Sequence, residues 1–188
     1  GGNTLPEISA RRKKNGFLPF SWDYSVPFYP ETVPSREDID RPVAGFASPG
    51  EYEPMAVGVY PLNKGVSVLS IEQNDFLGPD GARISKNFCT LRIAKYRPHR
   101  TVWTGTQEYE WISELLEQFE APVRLDTPVL FWISVKVPEN AAPGAYKTTL
   151  VFTTQSAKVS VPLSLTVLPF RLPEKPNQTF GMFYLDPM

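Results

Sequence analysis

Val159-Ser160-Val161-Pro162-Leu163-Ser164-Leu165-Thr166-Val167 alternates almost without fault between apolar and small or polar residues. Successive side chains of a strand point to opposite faces, so this stretch predicts a strand with one buried and one wet face. Pro162 has no N–H to give to a ladder, which places the strand at an edge or turns the proline nitrogen outward. Residues 146–154 read as the other half of a hairpin around Gln155-Ser156-Ala157. Before them, Pro143-Gly144 predicts a turn of type II, where glycine supplies the positive φ. Val129, Phe131, Ile133, Val135 and Val137 share one face of a third strand.

Working back toward the N-terminus, residues 43–47, 51–60, 66–71 and 88–96 read as further strands. Met55, Val57, Val59, Leu91 and Ile93 are their core positions. Gly78-Pro79-Asp80-Gly81 has the residues of a type I turn. About seven short strands with turn signals between them predict an all-β fold, an antiparallel β-sandwich of Ig-like or related type. One inserted α-helix is expected near residues 104–120. Thr104 with Gln107 resembles a capping box, Thr106 is an equally good cap, and Pro122 would end the helix. Trp111, Ile112, Leu115, Leu116 and Phe119 recur at helical spacing, with Glu108, Glu110, Glu114 and Glu117 on the other face. Trp111 is then a core residue, and Trp132, opposite the continuous face of its strand, is buried under the helix or the N-terminal segment.

The composition agrees. Of 188 residues, 20 are proline, 41% are hydrophobic and 21% are charged. Proline removes a donor and breaks helix interiors, so the chain is cut into short extended pieces. A chain of this length can bury about 70% of its unfolded surface, enough for a core. The net charge of −1 lacks the positive excess that nucleic acid or an anionic membrane demands. Cys89 and His99 are the only cysteine and histidine, which removes disulfides, thiolate clusters and multi-histidine metal sites. No apolar run approaches the ~20 residues of a membrane span.

Three segments follow from this reading. Residues 1–40 form an irregular, proline- and aromatic-rich arm. Its basic run Arg11-Arg12-Lys13-Lys14 is a solvated tail, and its rings Phe17, Phe20, Trp22, Tyr24, Phe28 and Tyr29 lie against the body. Residues 41–173 are the sandwich. Residues 174–188 are a linker, with a sequon at Asn177-Gln178-Thr179, and then the first strand, 180–185, of a domain expected to lie beyond Met188.

Four runs occur in the order of a known module: Gly50-Glu51-Tyr52-Glu53-Pro54, Phe131-Trp132-Ile133-Ser134-Val135-Lys136-Val137-Pro138, Ala142-Pro143-Gly144-Ala145-Tyr146 and Val167-Leu168-Pro169-Phe170-Arg171-Leu172-Pro173. Together they resemble the N-terminal β-sandwich that precedes the TIM barrel in glycoside hydrolase family 123 and in related bacterial glycoside-hydrolase-like proteins of unknown function. The resemblance covers residues 43–173, and Phe180-Gly181-Met182-Phe183-Tyr184 follows as a barrel strand would. It implies a non-catalytic accessory domain. In that family adjacent Asp and Glu residues of the barrel assist attack by the substrate's own acetamido group, and no stretch of this chain can receive them. A periplasmic, cell-surface or extracellular place in a bacterium is implied with it. The expected partner is the barrel of the same protein, with glycans as a candidate ligand. No cofactor, metal, nucleic acid or membrane span is expected.

The candidate sites are few. Glu51 and Glu53 are a carboxylate pair about 6.6 Å apart along a strand, a spacing compatible with acid–base work on a glycoside but shared by every i, i+2 pair. Binding to backbone or arginine at a sheet end is the expected role. Lys95, Arg97, His99 and Arg100 form a basic patch interleaved with Tyr96 and Trp103, suited to an anionic sugar or to a neighbouring domain. For stacking on sugar rings the candidates are Trp22, Tyr24, Trp103 and Tyr109, with His99 and Arg100 beside them. The competing role for the tryptophans is burial under the arm or the absent domain. An autonomous carbohydrate-binding module, or a surface domain pairing through an edge strand, are the alternatives to a scaffold.

Overall fold

The computed structural model describes residues 4–100 and 108–173. Twelve strands follow in chain order: β1 (Phe17–Trp22), β2 (Val43–Ala47), β3 (Tyr52–Pro61), β4 (Ser67–Gln73), β5 (Phe76–Leu77), β6 (Arg83–Ile84), β7 (Cys89–Arg100), β8 (Tyr109–Gln118), β9 (Val123–Arg124), β10 (Val129–Lys136), β11 (Gly144–Thr154) and β12 (Lys158–Val167). Two five-residue helices, α1 (Ala10–Lys14) and α2 (Arg36–Asp40), precede β1 and β2. One sheet runs β1-β3-β10-β7-β8. The other runs β2-β12-β11-β4-β9, with β5 paired to β11 and to β6. The all-β sandwich expected from the alternation is what forms, and β2 lies parallel to β12 while the other pairings are antiparallel.

The core lies between the sheets. Val161, Leu163, Leu165 and Val167 of β12 and Val129, Phe131, Ile133 and Val135 of β10 all face it, and Phe131 meets Phe152 of β11 edge-on at 5.4 Å. Each such fully buried side chain contributes about 1.5–3 kcal/mol relative to exposure. Pro162 is compatible with this strand because β2 pairs only with Leu163 to Val167, leaving the first half of β12 uncovered on that side. Gly144 takes φ +138°, the positive value expected of its turn, whereas Asp80 at φ +50° is left-handed and departs from the type I turn.

The expected helix near 104–120 is absent. Thr104, Thr106 and Gln107 lie outside the described residues, and from Tyr109 the chain is strand, paired along β7 from Arg92–Gln118 to Arg100–Tyr109. A helix needs a surface for its apolar stripe. These residues instead complete the ladder of a strand that runs past the body, with a register shift opposite Lys95–Tyr96. Trp111 is therefore not core: it is 58% exposed.

The N-terminal 40 residues are likewise not irregular throughout. β1 joins the edge of the first sheet, and the chain then crosses that sheet's outer face. There Phe28, Ile39 and Ile8 join Leu18, Phe20, Ala56, Ala94 and Leu130 in a second apolar cluster. Gly58 makes room for this layer: a Cβ there would meet the Phe20 ring at 2.2 Å. Arg11 to Lys14 belong to α1 rather than to a tail, and Arg12 pairs with Asp40 of α2 at 3.3 Å. Trp132 is half-buried beneath this segment, with Tyr24 against it at 5.5 Å.

Candidate functional site

The two ends of the sandwich differ. At one end β10 finishes, β3 begins, and β12 delivers the chain toward Pro173. All four sequence runs quoted above meet here. Gly50 N donates to Val137 O at 3.0 Å, Val137 N to Glu51 O at 2.8 Å, and Lys136 Nζ to Gly50 O. Gly144 pairs with Val167, Tyr146 Oη donates to Ala142 O, and Arg171 donates to Glu139 O. Around this exit end stand exposed Phe46, Tyr52, Phe170 and Leu172, 54–68% exposed. The Lys136 ammonium caps the Tyr52 ring at 4.6 Å, a cation–π contact.

Glu51 and Glu53 hold backbone at this end. Glu51 Oε2 accepts from Ser48 N at 2.8 Å and Glu53 Oε1 from Phe46 N at 3.2 Å. Burial raises the Glu53 carboxyl above its ordinary range, Phe46 N–H works against that, and Glu51 adds to the rise. Gly45 allows the approach, since a Cβ there would lie 2.5 Å from Glu53 Oε1. The pair fits the backbone-binding role.

The basic patch lies at the opposite end. β10 pairs with β7 only from Cys89 to Ala94, and the rest of β7 runs on with β8 as a two-stranded ribbon. Lys95, Arg97, His99 and Arg100 are all exposed on it. His99 Nδ1 lies 3.0 Å from Glu114 Oε1. Tyr109 and Trp111, 56% and 58% exposed, share a face with Pro98 and Arg100, their cross-strand neighbours. Tyr96 roots the ribbon: its ring stacks on Phe28 and its hydroxyl donates to Pro128 O at 2.6 Å. Burial drives the Tyr96 phenol strongly upward, so it remains a donor.

The aromatic candidates therefore separate. Trp22 is engaged structurally, edge-on to Phe20 and Phe28 and donating Nε1–H to Val26 O at 3.0 Å. Tyr24, 47% exposed, stands on the outer face of the first sheet over Trp132. Tyr109, His99 and Arg100 are on the ribbon, and Trp103 lies outside the described residues. Sequence reasoning missed Trp111 as a surface ring, because its spacing from Leu115 imitates a helix. Among the described residues no cluster of three His, Cys, Asp or Glu side chains could hold a metal ion, and no helix is long and apolar enough to cross a membrane. Cys89 is half-buried at the start of β7, with Gln73 Nε2 donating to its sulfur at 3.0 Å, and burial raises its thiol.

No protein-family model matches the chain, and no curated protein matches it in sequence. Among solved structures it is similar to a family 123 glycoside hydrolase from Clostridium perfringens that hydrolyses glycolipid glycans. The identity is 15% and the TM-score 0.71, over 84% of this chain and 28% of that chain. The chain thus spans a little over a quarter of the hydrolase. PapD-like domain 7 of human CEP192 also aligns, at 10% identity over 91% of this chain and 98% of that one, with a TM-score of 0.40, too low to carry an argument.

Proposed function

We propose that this chain is a non-catalytic accessory β-sandwich of a larger, carbohydrate-active protein related to the family 123 glycoside hydrolases, and that it supports that protein's catalytic barrel. The observation that carries the reading is the alignment with a glycoside hydrolase over 84% of this chain but only 28% of that enzyme. It is supported by the meeting of the four resembling runs at the exit end, amid exposed Phe46, Tyr52, Phe170 and Leu172. Large exposed apolar side chains around one site mark a surface meant to be covered. In this reading the barrel docks on the exit end, and the whole protein works in the periplasm, at the surface or outside a bacterial cell.

The test is to read the gene past Met188, express the longer protein, and place Phe46→Ser with Tyr52→Ser in both forms. Both side chains are exposed in the short chain, so its stability should change by less than about 0.5 kcal/mol. The longer protein should lose about 2 kcal/mol or more, as at a buried interface. A stop codon at Met188, equal effects in the two forms, or glycoside hydrolysis by the short chain would each overturn the reading.

A further inference from the structure

The outer face of the first sheet carries two grooves that adjoin at a single side chain, Tyr24. The first, about 330 Å³, is lined by Trp22, Asp23, Tyr24, Arg41, Pro54 and Ala56 among others. The second, about 320 Å³, is lined by Tyr24, Ser25, Val26, Glu114, Leu116 and Trp132 among others. Each reaches the lower end of the range for small-ligand pockets, about 300 Å³. We propose that the pair forms a trough for a neutral oligosaccharide, with Tyr24 as the stacking platform between successive sugar units.

The chemistry of the walls selects this class. A pyranose has an apolar C–H face and a rim of hydroxyls, and it is matched by an exposed ring with hydrogen-bonding groups beside it. Tyr24 offers that ring, and Trp132 beneath it at 5.5 Å fixes its tilt, which lowers the ordering cost on binding. The polar rim is present in both grooves: Asp23 and Arg41 in the first, Ser25 and Glu114 in the second. Its charges are already matched within the protein. Arg41 pairs with Asp38 at 3.4 Å and Glu114 with His99 at 3.0 Å. Asp23 accepts from Ser25 Oγ at 2.7 Å and Ser25 N at 2.9 Å, contacts that hold its carboxyl below the usual range. With no unmatched charge of either sign, the trough gains little from an anionic sugar, and the ligand is neutral.

The experiment titrates the full chain with neutral oligosaccharides of two to four units built on glucose, galactose, mannose, xylose or N-acetylglucosamine, followed by calorimetry and by Trp132 emission. At least one series should bind, more tightly as the chain lengthens from one unit to three. Tyr24→Ala should weaken it about tenfold or more, and Tyr24→Phe, which keeps the ring, by no more than about threefold. Leu116→Trp, at a position 37% exposed, fills the second groove without altering Tyr24 and should lower affinity independently of the Tyr24→Ala fold. Absence of binding across the panel overturns the proposal. So does affinity that Tyr109→Ala abolishes and Tyr24→Ala leaves intact, which would move the platform to the ribbon. None of Phe46, Tyr52, Phe170 and Leu172 lines either groove, so failure here leaves the docking reading standing.

Discussion

Glu53 shows how one carboxylate can serve a sheet without being a catalyst. β2 is the outermost strand of its sheet, and an open edge strand offers unpaired N–H groups to other chains. The Glu53 side chain crosses from the facing sheet and takes the Phe46 N–H, closing part of that edge. Its raised carboxyl fixes the sign of the pH effect. The folded state favours the protonated form, so Glu53 contributes most below its ordinary value of 4.5, and the contribution is lost as pH rises through the raised value. Glu53→Gln keeps the acceptor and removes the charge. Its stability relative to the wild type should therefore improve between about pH 4 and about pH 7 in urea denaturation. Glu53→Ala removes the acceptor and should cost about 1 kcal/mol at either pH. A Gln variant whose relative stability falls with pH would contradict this account.

Among elements, β8 separates what the sequence discloses from what tertiary pairing decides. Strands such as β10 and β12 were legible because one face is buried and the other is not, so composition alternates with the pleat. β8 has no such contrast: it is an edge strand with most residues exposed on both faces. Its pattern was misleading for a specific reason. The register shift leaves Glu114 as an extra residue, so Ile112 and Leu115, three apart, come to the same face. A bulge in a strand thus imitates helical spacing, and four glutamates, good helix formers, reinforce the imitation. The candidate site suffered likewise: Glu51 and Glu53 were legible as a backbone-holding pair at a sheet end. The seating of Tyr24 on Trp132 was not, because it depends on how residues 23–40 cross a sheet distant in sequence. The two readings of β8 differ measurably. As a buried helix residue Trp111 would lose about 3–5 kcal/mol on truncation to alanine. At 58% exposure on a ribbon the loss should be under about 1 kcal/mol, by thermal or urea melting.

At the scale of the whole molecule, the positions of ribbon and exit bear on what the sandwich can touch. β10 runs from Val129 to Lys136 toward the exit end, and β7 runs antiparallel to it, so Ala94 opposite Leu130 lies near the far end. The six residues from Lys95 to Arg100 extend about 20 Å further in the same direction. The basic patch and the Tyr109–Trp111 face therefore point away from Phe46, Tyr52, Phe170 and Leu172. A domain docked on the exit end would be reached by the four resembling runs and not by the ribbon. Hydrogen exchange on the short and the longer protein distinguishes these surfaces. Docking should slow exchange across residues 46–52 and 168–172 by about tenfold or more, while exchange in residues 109–113 should change by less than about twofold. Protection confined to the ribbon would place the partner at the wrong end of the sandwich, and the accessory role would have to be rebuilt around Arg97, Arg100 and Trp111.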